Sequence, residues 1–142
     1  MNRLAAAALL LPLAGWAAAM PRKPRVDRSM ETEGSYCKVS QPGHEVVQTP
    51  AQWQALWHKI GKKTPSADLA NNFAVAVFAG TRNSGGYGIV FDAPVEEKGA
   101  LVIRYKVTRP KGMATMALTE PYAVRLFSRH GELPSRVEGR EE

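Results

Sequence analysis

Residues 80–87 read Gly-Thr-Arg-Asn-Ser-Gly-Gly-Tyr, the stretch with the most chemical promise. Glycines around a hydroxyl suggest a phosphate cradle. A phosphate loop needs lysine where Gly86 stands, serine or threonine where Tyr87 stands, and a helix directly after. Here an alternating, extended stretch follows instead, so no helix N-terminus is offered to an anion. A dinucleotide fingerprint fails for the same reason. Ser84 lacks the spacing of a nucleophile elbow, so a hydrolase would need a distant histidine brought to it by the fold. His44, His58 and His130 lie on different segments, none with a partner at metal-ligand spacing. Cys37 is the only cysteine, either a small buried hydrophobe or a free thiol able to bridge two chains. No catalytic, cofactor-binding or metal-binding residue is assigned, and the chain is read as non-enzymatic.

What could position these residues follows from apolar patterning. Residues 73–79 are apolar without alternation, as expected of a central strand covered on both faces. After the glycines, Tyr87, Ile89 and Phe91 share one face of an extended chain, and Gly86, Gly88 and Val90 the other. Two extended runs joined by a polar, Gly-rich turn predict a β-hairpin. Glycine within a strand marks a bulge or a close approach, so the face of Gly86 and Gly88 is expected to leave room for a partner's main chain. Residues 101–108 alternate as a half-buried strand broken at Arg109-Pro110, and 122–127 form another. Residues 113–118 are apolar without a period and read as loop or irregular strand. If the strands at 73–80, 86–91 and 101–108 run up, down and up, the loops 81–85 and 109–112 emerge at one end.

Thr49-Pro50 opens a helix, with Thr49 capping free donors and Pro50 at the first helical position. Trp53, Leu56, Trp57 and Ile60 then form one apolar stripe, and Gly61 supplies the left-handed stop. A short helical turn is expected from Ser66, a strand at 44–48, and a short strand at 36–39. The fold class is α+β, a mainly antiparallel sheet or sandwich with one amphipathic helix packed against it.

The 142-residue chain fits one domain and carries a net charge of +6. Met1-Asn2-Arg3, an Ala/Leu-rich run and Ala17-Ala18-Ala19 fit a signal peptide over 1–19, too short to prefer a bilayer span. Export places the protein in a bacterial periplasm or outside the cell. This disfavours nucleic acid as the reason for the basic balance, and no stable membrane insertion is expected after cleavage. Much of the charge sits in Arg22, Lys23, Arg25 and Arg28, within a segment (20–43) read as flexible. The main domain is placed at 44–128 and a flexible tail at 129–142.

Trp53 with Leu56-Trp57, then Gly80, Ser84-Gly85-Gly86-Tyr87 with Ile89, Pro110 with Gly112, and Thr119 with Pro121-Tyr122 and Val124 form an ordered set. That set resembles the PrcB family, named for a subunit of a surface protease complex. Glu120 departs from the small residue expected before Pro121. The resemblance implies an exported accessory subunit that binds and stabilises a protease or another envelope protein. The partner surface is placed at Asn83, Ser84, Gly85, Gly86, Tyr87, Arg109 and Pro110. A Gly-Tyr tip near an Arg-Pro loop also looks like the chagasin-type protease inhibitors, immunoglobulin-like sandwiches that wedge adjacent loops into an active-site cleft. That likeness implies the alternative of a small protease inhibitor, although Lys111-Gly112 stand where an aromatic is expected.

Overall fold

The computed structural model describes residues 31–129 and 136–142. The expected signal peptide, residues 20–30 and residues 130–135 lie outside that description. Strands β1 (Glu31–Gly34) and β2 (Gly43–Val47) precede helix α1 (Pro50–Ile60). Then follow β3 (Asn72–Phe78), β4 (Gly88–Phe91), β5 (Val95–Glu97), β6 (Ala100–Thr108), β7 (Tyr122–Ser128) and β8 (Arg136–Glu141).

The helix forms where its local signals predict. The Thr49 hydroxyl accepts from the Gln52 amide at 3.2 Å, satisfying a donor that the first turn leaves open. Gly61 ends it in the left-handed conformation, φ 88°. Trp53, Leu56, Trp57 and Ile60 are all buried against Ala74, Ala76, Phe78, Tyr122, Val124 and Leu126 of β3 and β7. Burying each tryptophan stabilises the fold by roughly 1.5–3 kcal/mol or more on area grounds.

One sheet has the order β1-β7-β3-β2. Its central strand β3 is buried on both faces, as its unbroken apolar run predicts. Ala74, Ala76 and Phe78 meet the helix, while Phe73, Val75 and Val77 turn to a second core. That core lies between the sheets and includes Ile89, Phe91, Ile103, Tyr105, Val107, Ala123 and Phe127. In the second sheet β6 carries β4 and β5 on one edge and β8 on the other, since Tyr105 pairs with Phe91 on one side and Gly139 on the other. The register slips by one residue between β4 and β5, a bulge at 92–94. Lys98 (φ 51°) and Gly99 (φ 77°) close the β5–β6 hairpin in the doubly left-handed turn that suits strand twist. The result is three layers: helix, sheet, sheet.

Five expectations are corrected. Strands β3 and β4 do not form a hairpin. They belong to different sheets, because β3 finds β7 and β2 as antiparallel neighbours and β4 finds β6. The intervening loop is a crossover between sheets. Residues 31–34, read as flexible, pair with β7. Residues 36–39 are not a strand. Lys38 instead donates to the last helical carbonyl, Ile60, at 3.1 Å. No helical turn starts at Ser66, because the Asp68 carboxylate takes the Ala70 and Asn71 amides at 3.0 and 3.3 Å, a side-chain turn that competes with helix.

The fifth correction concerns the tail. Residues 136–141 form β8, parallel to β6 from Val102↔Arg136 to Val107↔Glu141. Val137 packs on the inter-sheet core. Arg104 donates to Glu138 at 2.8 Å and to Glu97 at 2.7 Å, and Arg140 pairs with Asp92 at 3.3 Å. The hydrogen bond from Arg104 holds Glu138 below its usual 4.5. Arg82 does the same to Glu141. A depressed carboxylate contributes stability above its unfolded value and loses it as pH falls through the lower folded value. Below about pH 4, amide exchange over 136–141, corrected for intrinsic rates, is therefore expected to quicken while β3 and β7 stay protected. Unchanged protection of β8 at that pH would refute an electrostatic clasp.

Candidate functional site: the two-loop end

Both loops leave the second sheet at one end, because Gly88 opens β4 opposite Thr108, which closes β6. They are bound to each other. An atom placed as a side chain on Gly86 would sit 2.7 Å from Pro110 Cβ, so the proline ring occupies the space the missing side chain leaves. Gly86 also adopts φ 84°, a conformation glycine takes without cost. The Gly85 amide donates to the Thr115 carbonyl at 2.9 Å. Arg82 and Thr119 exchange amide-to-carbonyl bonds at 2.8 and 2.9 Å, and the Thr119 hydroxyl donates to the Ser84 carbonyl at 2.8 Å. Thr119 is buried, so this bond satisfies its hydroxyl.

The expected bare glycine face is therefore filled from within. Pro110 covers Gly86, and Thr108 Oγ1 would lie 2.9 Å from a side-chain atom on Gly88. At Gly86 and Gly88 the missing side chains let the chain's own segments close on each other. Tyr87 packs partly on the inter-sheet core beneath the Arg82 guanidinium, 5.0 Å from the ring centre. Asn83 is exposed, whereas Ser84 and Pro110 are half-buried.

The chain's ion-paired core at this end was not read from sequence. Arg82 donates to Glu141 at 2.7 Å, and this hydrogen bond raises the arginine further above its usual range. Arg109 reaches the same carboxylate at 3.4 Å while its side chain stays 66 % exposed. No sequence signal joins Arg82 to Glu141, because their meeting depends on β8 docking against β6.

The Ser84 hydroxyl donates to the Gly85 carbonyl at 3.1 Å. His44 is hydrogen-bonded to the Tyr105 hydroxyl at 3.0 Å, and His58 is exposed on α1. His130 lies outside the described residues. Cys37 Sγ donates to the Glu120 carbonyl at 3.4 Å and packs partly buried on the helix core; burial raises its pKa. Among the described residues no group of three His, Cys, Asp or Glu side chains is placed to hold a metal ion, and no helix is long and apolar enough to cross a membrane.

Residues 73–125 match the PrcB C-terminal family. The PrcB C-terminal match runs from β3 into β7 and so contains both loops, the β4–β6 pair and most of the inter-sheet core. Helix α1 and β8 lie outside it. Comparisons with curated proteins and with solved structures returned no match to this chain.

Proposed function

We propose that this chain is an exported, non-enzymatic accessory protein that binds a protease or another envelope protein through its two-loop end. The signal peptide read at 1–19 supports export to the periplasm or beyond. The observation that carries the binding reading is the locking of loops 80–87 and 109–119 into one surface within the PrcB C-terminal match. Preformed loops meet a partner without first losing conformational freedom.

The test is co-purification of wild type and Arg109→Glu from the envelope of cells that also make an exported protease. Arg109 is mostly exposed, so its reversal changes a surface charge. Because Arg109 also contacts Glu141, the comparison is made at matched Tm and matched amide protection of β8. Wild type is expected to recover the protease in active form, and Arg109→Glu to recover several-fold less. Equal recovery removes the loop assignment. Recovery of an inactive protease by wild type favours the alternative, a small inhibitor acting through the same adjacent loops.

A further inference from the structure

Resting on that reading, we infer that the contact is made by the ordered loop 111–118. Met113, Met116 and Leu118 enter an apolar groove of the partner protein, and Arg109 and Lys111 face carboxylates on its rim. Met113 is fully exposed, Met116 is 88 % exposed and Leu118 66 %. Single exposed apolar residues are ordinary. Three within six residues of one loop are a concentration of exposed apolar surface, at an end where Gly86 and Gly88 are covered by the chain's own side chains.

The loop's backbone is held while these side chains point out. Thr115 accepts from Gly85 and from Ala117, at 2.9 and 3.0 Å, and Thr119 is doubly tied to Arg82. Thr119 is buried and Thr115 is held through its backbone carbonyl, while the side chains of Met113, Met116 and Leu118 stay exposed. Methionine is unbranched and polarizable, so it fits an irregular apolar surface at little steric cost.

Charge narrows the partner. Residues 80–87 and 109–119 contain Arg82, Arg109 and Lys111 and neither Asp nor Glu. Arg82 and Arg109 share the Glu141 carboxylate. Arg109 nonetheless stays 66 % exposed, and Lys111 is exposed in the same loop as the methionines. A groove with an acidic rim complements that pattern. A lipid surface fits it less well, because lipid-binding clusters carry about 4–8 basic residues and interfacial segments carry aromatic anchors. The 111–118 loop has no aromatic residue.

The experiment uses the full chain in its own host, with a photo-crosslinking residue at 116, at Val90 or at Val95. Val90 lines the open groove between β1 and β4, and Val95 pairs at the far end of β6 from the loops. The protein joined at 116 is identified, purified and tested for binding to wild type, to a Met113→Ser/Met116→Ser/Leu118→Ser variant and to Lys111→Glu. The expected result is one protein adduct from 116 and none from 95. The triple variant should bind about 30-fold or more weakly at an unchanged Tm, and Lys111→Glu several-fold more weakly with reduced salt dependence. An adduct at 90 with none at 116 overturns the loop and leaves the accessory role standing. No protein adduct at any position overturns both. Methionine-dependent binding of the chain to phosphatidylglycerol vesicles, with no protein adduct at 116, replaces the groove with a membrane surface.

Discussion

Replacing Trp57 by alanine is expected to cost about 3–5 kcal/mol, the range for deleting a large aromatic from a packed core. Trp57 is 2 % exposed and sits at the centre of the helix core. Its ring meets Trp53 at 5.5 Å and Tyr122 at 6.4 Å, both edge-on, the geometry aromatic pairs prefer. Removing it opens a void walled by β3 and β7, whose strand pairing keeps them from collapsing inward. The size of the loss comes from packing, because Trp57 Nε1 is buried without a hydrogen-bond partner among the described residues. Trp53 differs: its Nε1 donates to the Pro65 carbonyl at 2.8 Å. Trp57→Phe should therefore retain more stability than Trp57→Ala, because it removes an unpaired donor while keeping an aromatic ring. Thermal unfolding of the three proteins checks this. A Trp57→Ala variant melting within a few degrees of wild type would mean that the helix is not a structural layer.

Gly86→Val should be comparably damaging, by about 2–4 kcal/mol, for two separable reasons. A branched side chain at φ 84° carries a left-handed backbone cost of about 1–2 kcal/mol. Its Cβ would also stand 2.7 Å from Pro110 Cβ, forcing a shift in a closed contact that costs typically 1–3 kcal/mol. Gly112 offers the control. Its φ is 86° and nothing lies within 4 Å of an added side-chain atom. Gly112→Ala should lose only the backbone contribution, and Gly86→Ala should lose clearly more. Equal losses at the two positions would show that Pro110 does not fill the space at Gly86.

Local signals made the helix and the central strand legible. The Thr49-Pro50 start, the tryptophan stripe and the Gly61 stop each act within a few residues, and the unbroken apolar run at 73–79 states by itself that both faces are covered. Pairing partners were less legible. Glycines and polar residues between two extended runs favour a hairpin only if the strands have no better neighbour. Strand β3 has two, β2 and β7, one on each edge. Strand β8 offers Val137 as its one large apolar residue. Its order comes from backbone pairing with β6 and from arginine–carboxylate contacts that periodicity does not report. The two-loop end was legible as a place, since strand directions put both turns there. Its surface was not. That Pro110 would seal Gly86, and that Met113, Met116 and Leu118 would be the side chains left outside, depends on distances between segments far apart in sequence.

Strand β3 hands alternate side chains to the layer beneath the helix and to the layer between the sheets. The two interiors thus share one peptide backbone, and neither can be dissolved without pulling the other's supports out of register. The domain should melt as a single cooperative unit, with its calorimetric and van't Hoff enthalpies in agreement. Heat would then disperse the two joined loops and the tryptophan layer in the same event.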